Sequence, residues 1–248
     1  MKRTEGSLKN LCLWLIDEKC FRLGEFMPYR MRYYSAYALE KLLFAKHYLS
    51  NVFYSPLSGL SQYKSMKKLN LACSDRIIPG WLNVDARDIP GIDHVVDVRN
   101  LSKFSDNSFD IVRASHVLEH FYINELEHVL REWTRVLRPG GWLILCVPDF
   151  DANLLRYKVN PHVINPCLAK EFGPAVLSQI YGFGYESDEN HLYKHRMVYN
   201  RMSLISVMRQ YGKLKNIRTL NYLREEPYAA GITDDSTNVY SLNLAGQK

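Results

Sequence analysis

Phe109-Asp110-Ile111-Val112-Arg113-Ala114, then Asn124 to Leu137, then Trp142-Leu143-Ile144-Leu145-Cys146-Val147 is the stretch that decides the fold. Its two ends are short apolar runs. Its middle carries Leu126, Val129, Leu130, Trp133, Val136 and Leu137 at helical spacing, and Pro139-Gly140-Gly141 ends it. Strand, helix and strand at this spacing form a βαβ unit, so the sheet is at least partly parallel.

Upstream, Lys68 to Ala72, Trp81 to Asp85 and His94 to Val98 read as three more strands. Downstream, helices are predicted over 169–180 and 200–211, and strands over 216–222 and 239–245. The last two strands, joined by a polar loop, would close the sheet with an antiparallel edge. The expected class is α/β: a Rossmann-like, doubly wound, mostly parallel sheet with an antiparallel C-terminal edge, plus an N-terminal helical extension.

The 248 residues carry 32 Lys and Arg against 26 Asp and Glu, a formal charge of +6. Residues 1–68 hold 12 of the basic and 5 of the acidic residues, so the remainder is close to neutral. A basic extension over 1–62 is therefore set apart from a domain over 63–248. That domain divides into a core over 63–150 and substrate-side helices and closing strands over 151–248. The extension suits an acidic partner, nucleic acid, peripheral contact with an anionic membrane, or simple solubilisation. A hydrophobic fraction of 47% excludes a disordered chain. No apolar run is long enough for a membrane-spanning helix, and Leu11 to Ile16 runs at once into Asp17 and Glu18, unlike a signal peptide. Five cysteines without a C-x-x-C pair argue for reduced thiols and a cytoplasmic setting.

In open α/β sheets, ligands bind beyond the carboxyl ends of the strands. The residues there are Ala72-Cys73-Ser74, Asp85, Asp97, Ser115-His116 and Pro148-Asp149. Two carboxylates at successive strand ends suit a nucleoside. One can accept from ribose hydroxyls and the other from an exocyclic amine.

Five blocks stand in order: Leu69-Asn70-Leu71-Ala72-Cys73-Ser74; Pro79-Gly80-Trp81-Leu82-Asn83-Val84-Asp85; Phe104-Ser105-Asp106-Asn107-Ser108-Phe109-Asp110; Ser115-His116-Val117-Leu118-Glu119-His120; and Arg138-Pro139-Gly140-Gly141-Trp142. Together they resemble the class I S-adenosylmethionine-dependent methyltransferases, in their type 11 branch, over roughly residues 67–150. The resemblance implies S-adenosylmethionine as cofactor and a small-molecule or glycan-precursor acceptor. It places Ala72, Cys73 and Ser74 under the methionine part of the cofactor and Asp85 at the ribose. It places Asp97 and Val98 at the adenine, with Ser115 and His116 near the reacting methyl. It also makes His191, His195 and Tyr199 substrate-side candidates, a polar loop being the other reading of that segment. For a general base, the sheet rim offers His116, His120 and Asp149. No metal is expected.

The family's first loop usually reads G-x-G, and both glycines are replaced here, by Ala72 and Ser74. Only Cys73 to Gly80 joins the first two strands, so the first helix is expected to shrink to about one turn. Two rival motifs carry less. His116-Val117-Leu118-Glu119-His120 spells the H-x-x-E-H of some zinc peptidases, but it follows a strand directly at the sheet's lip. Asn165-Pro166-Cys167 contains the Pro-Cys pair of cytosine methyltransferases, but lies past the fifth strand. The N-P-P-[YF] signature of amino methylation is absent. The competing readings are a non-catalytic cofactor-binding protein and a nucleic-acid methyltransferase that uses the basic arm.

Overall fold

The structure is a computed structural model that describes residues 66–159, 176–182, 193–220 and 240–248. The extension over 1–62, His191 and the Asn165-Pro166-Cys167 motif lie outside the described residues.

One seven-stranded sheet organises these residues. Its strands are β1 (Lys68–Leu71), β2 (Leu82–Asp85), β3 (His94–Val95), β4 (Phe109–Ser115), β5 (Leu137–Pro148), β6 (Lys215–Thr219) and β7 (Ser241–Gln247). Their spatial order is β3-β2-β1-β4-β5-β7-β6. Every pairing from β3 to β5 is parallel, and β7 lies antiparallel between β5 and β6. The chain direction switches on either side of β1, which leaves a crevice above the carboxyl ends of β1 and β4. The α/β class and the antiparallel closing edge are as expected.

The central strands are buried on both faces, which is why they read as continuous apolar runs. Leu69, Leu71, Val112, Leu143 and Leu145 are fully inaccessible. Helix α1 (Leu126–Val136) covers one face with Leu126, Val129, Leu130, Trp133 and Val136. Glu127 in its first turn and Arg135 in its last complement the helix dipole. The Trp133 indole N–H donates to Val98 O at 2.8 Å, so the largest core side chain leaves no polar atom unmet. Helix α2 is Phe150–Val159, α3 is Val176–Tyr181 and α4 is Arg201–Gln210. Asn200 caps α4 through a capping box with Ser203.

Three departures from the sequence reading shape the sheet around the crevice. Strand β3 stops at Val95 rather than Val98, because Asp97 turns the chain: its carboxylate accepts from Arg99 N at 2.9 Å and its carbonyl from Asn100 N at 2.8 Å. Strand β5 begins at Leu137, which pairs with Phe109, and Trp142 next pairs with Ile111. Residues 138–141 bulge out between these partners, and a Cβ on Gly141 would stand 2.9 Å from the carbonyls of Arg138 and Asp110. Between β1 and β2 there is no helical turn at all. Side-chain amides replace it. Asn83 accepts from Ile78 N at 2.9 Å and donates to the carbonyls of Ile78 and Trp81, and Asn70 donates to Asn83 at 3.0 Å. None of the described helices is long and apolar enough to cross a membrane.

Candidate active site

A cavity of about 310 Å³ opens where the crevice was expected. The ends of β1 and β4 form its floor, with Ala72, Cys73, Ser74, Ser115 and His116. His120, Gln179, Tyr193, His195 and Ser241 form its wall.

Ala72 and Ser74 hold left-handed backbones, with φ of 47° and 51°. Glycine adopts this conformation freely, whereas an L-residue is strained in it. The loop therefore keeps the shape of a glycine turn without the glycines. His116, at the end of β4, has a φ of 53°. Three strained residues thus line one cavity, a distribution expected of a functional site.

The turn at Ser74 aims its N–H at Asp85, whose carboxylate accepts it at 2.8 Å. Asp85 is buried, and Arg87 donates to it from the backbone and from Nε, both at 3.0 Å. Burial alone would raise the Asp85 carboxyl, but the Arg87 and Ser74 hydrogen bonds hold it below its ordinary value. The Arg87 guanidinium also reaches Ser74 Oγ and the Tyr193 hydroxyl, each at 3.0 Å. Burial, and then the Asp85 charge, push the Cys73 thiol up to about 11.

Arg113 is a buried cation beneath the same cavity. Its side chain is set on β4, and one guanidinium nitrogen donates to Asn70 Oδ1 at 3.0 Å. Sequence reasoning passed over Arg113 and Asn70, although an Arg inside an apolar central strand is a visible signal that it faces something polar.

Glu119 is fully buried behind the wall, in a 3₁₀ turn over Leu118–His120. His116 Nδ1 lies 3.3 Å from its carboxylate, and His116 Nε2 meets Ser241 Oγ at 3.0 Å. Burial opposes a charge on His116, but Cys146 and Glu119 raise its proton affinity well above the ordinary value. Burial would raise Glu119, and His116, His120 and His195 outweigh it to lower the carboxyl. The Glu119 carbonyl accepts from Arg196 N at 2.7 Å and Met197 N at 3.1 Å, which docks the segment carrying His195 over the turn. Burial lowers His195 to about 4, so it is neutral at physiological pH.

The remaining candidates sit elsewhere. Asp97 pairs with Arg99 at 2.8 Å and is half-exposed, outside the cavity lining. Val98 is buried against Trp133. The Asp149 carboxylate accepts from Asp151 N and Ala152 N, as a cap on the start of α2. Tyr199 is buried beside a smaller cleft that includes Glu119 and Gln179. Burial and Glu119 raise its phenol. The structure therefore gathers Ala72, Cys73, Ser74, Ser115, His116, His120 and His195 at one cavity, with Asp85 just beneath it.

Residues 76–145 match the family profile described as a methyltransferase domain. A demethylmenaquinone methyltransferase from Renibacterium salmoninarum is 39% identical over 66 residues, a match that spans 27% of this chain and 27% of that protein. Among solved structures, a SAM-dependent methyltransferase from Archaeoglobus fulgidus is 11% identical, with a TM-score of 0.44 and coverage of 84% of this chain and 94% of the other. The 1,6-didemethyltoxoflavin-N1-methyltransferase of Burkholderia thailandensis, solved with S-adenosylhomocysteine, is 11% identical, with a TM-score of 0.43 and coverage of 90% and 91%.

Proposed function

We propose that this chain, in which residues 76–145 form a class I methyltransferase domain of type 11, transfers a methyl group from S-adenosylmethionine to a small molecule or glycan precursor. The observation that carries the reading is the left-handed turn of Ala72 and Ser74 above Asp85, at the carboxyl ends of β1 and β2. It sets a glycine-like turn and a buried carboxylate at the sheet's switch point, where nucleotide-like ligands bind.

The donor set fits the cofactor. Asp85 offers acceptor oxygens for a ribose diol, in the sites that Arg87 now fills. Arg113, on Asn70, puts a buried positive charge beneath the cavity, suited to a carboxylate. S-adenosylmethionine, when bound, supplies an electrophilic methyl on a sulfonium. The protein's work is then alignment and handling of the acceptor's proton. His116, held between Ser241 and Glu119, has its proton affinity raised and its ring fixed in orientation. His120 and His195 each place Nδ1 on a backbone carbonyl, Lys194 O at 3.2 Å and Gln179 O at 3.1 Å. A carbonyl only accepts, so Nδ1 carries the hydrogen in each ring and Nε2 is the remaining ring nitrogen. These two imidazoles stand in the cavity wall, on the acceptor's side.

Isothermal titration of S-adenosylmethionine and S-adenosylhomocysteine into the full chain tests the reading. Saturable binding that Asp85→Ala abolishes is expected. A chain that binds neither compound is not a methyltransferase, and the non-catalytic reading then replaces this one.

A further inference from the structure

We infer that Glu119, His120 and His195 form a site for one divalent transition-metal ion of the zinc type, open to the cavity through its fourth position.

The geometry is that of a ligand set. One ligand atom from each of the three residues lies within 4.8 Å of the others. Glu119 is fully buried, and neither carboxylate oxygen accepts a hydrogen bond among the described residues. Its nearest nitrogens are His116 Nδ1 at 3.3 Å and His195 Nε2 at 3.9 Å. A buried carboxylate whose oxygens accept no hydrogen bond is a place that favours an approaching cation.

The imidazoles are prepared in the manner of metal ligands. A metal-bound histidine nearly always donates its other ring N–H to a carbonyl or carboxylate, which fixes tautomer and orientation. His120 and His195 both do so, to Lys194 O and Gln179 O. Their rings stand edge to face, with centroids 4.8 Å apart. Two imidazoles and a buried carboxylate thus converge on one point. Glu119 Oε1 faces both His195 Nε2 and His116 Nδ1, so His116 stands as an outer carboxylate–histidine contact of the kind such sites carry.

Two imidazoles and one carboxylate match the His₂Glu set of zinc centres that keep an exchangeable fourth position. His120 and His195 both line the cavity, so that position faces the acceptor's side. There the ion would polarise an acceptor hydroxyl and ease its deprotonation. This last role rests on the methyltransferase reading; the binding of the ion does not.

The experiment uses the full chain, stripped with chelator and titrated with zinc, and with cobalt(II) read by its visible absorption. One equivalent is expected to bind, with the intense bands of a four-coordinate cobalt site. His195→Ala and His120→Ala should each weaken zinc binding by ~100-fold or more. His128→Ala, a histidine bonded to Arg99 O away from the cluster, should leave it unchanged. Glu119→Gln tests the carboxylate, with thermal melts to establish that each variant is folded. If Glu119→Gln does not fold, the two histidine variants decide. Absence of stoichiometric binding, or binding indifferent to both histidine substitutions, overturns the site. Titration of S-adenosylmethionine into the same samples separates the outcomes. Cofactor binding without metal binding defeats this inference alone, and metal binding without cofactor binding defeats the methyltransferase reading alone.

Discussion

The backbone N–H of Ser74 donates to the Asp85 carboxylate at 2.8 Å, and it does so from a left-handed residue. The hydrogen bond and the strain are one arrangement. Rotating Ser74 into the common β or α regions would carry its N–H away from Asp85, so the contact holds the turn in place.

Ser74→Gly and Ala72→Gly should therefore be tolerated. Relief of a left-handed L-residue is worth about 1–2 kcal/mol, and the greater freedom of the unfolded glycine chain costs about 0.4–1 kcal/mol. A net gain of about 0.5–1 kcal/mol is expected by urea denaturation for Ala72→Gly, and a smaller one for Ser74→Gly, which also loses the Ser74 Oγ–Arg87 hydrogen bond, with cofactor affinity retained in both. A loss of more than about 1 kcal/mol would mean that the side chains contribute contacts that outweigh the backbone strain.

The Asp85 carboxyl also sets a pH dependence. Its folded value lies below its ordinary one, so the unfolded chain takes up the proton first as pH falls. The stabilisation is complete above the unfolded value, near 3.8, and is lost as pH drops through the lower folded value. Asp85→Asn should melt at a lower temperature than the parent at pH 7, and the gap should shrink below about pH 4. A gap that is constant from pH 7 to pH 3 would show that charge on Asp85 contributes nothing.

Trp133 offers a test of the core. It is fully buried on α1, with its N–H on Val98 O. Trp133→Ala should cost about 3–5 kcal/mol. Trp133→Phe should cost less, about 1–3 kcal/mol, mainly from the orphaned carbonyl. Chemical denaturation reads both. Equal costs would indicate that the hydrogen bond, rather than volume, carries the residue's weight.

The sequence made the sheet legible because its central strands are buried on both faces. Val112, Ile144 and Leu145 cannot be mistaken for surface. It made the loop at Ala72 legible through its place after β1, but not the loop's conformation, since alanine and serine seldom take positive φ. The side-chain amides of Asn70 and Asn83, which stand in for the missing first helix, were invisible because their partners are backbone atoms that a sequence does not display. Asp149 reads as a rim carboxylate, yet the same residue type caps helices, and here its carboxylate caps α2. His195 stands out in a polar cluster of the sequence, while Glu119 shows there only as part of a peptidase-like motif. Their meeting depends on the docking of Arg196 and Met197 on Glu119 O, across more than seventy residues. No local pattern encodes such a contact.

Strand β7 lies between β5 and β6 although it follows both in the chain. During synthesis, β5 therefore waits with an open edge until residues 241–247 emerge, and β6 waits without its neighbour. Ser241, the partner of His116, arrives with that strand. The cavity wall is finished by the strand that follows every other strand of the sheet in the chain, and a nascent chain halted before it would expose two unpaired edges that invite association.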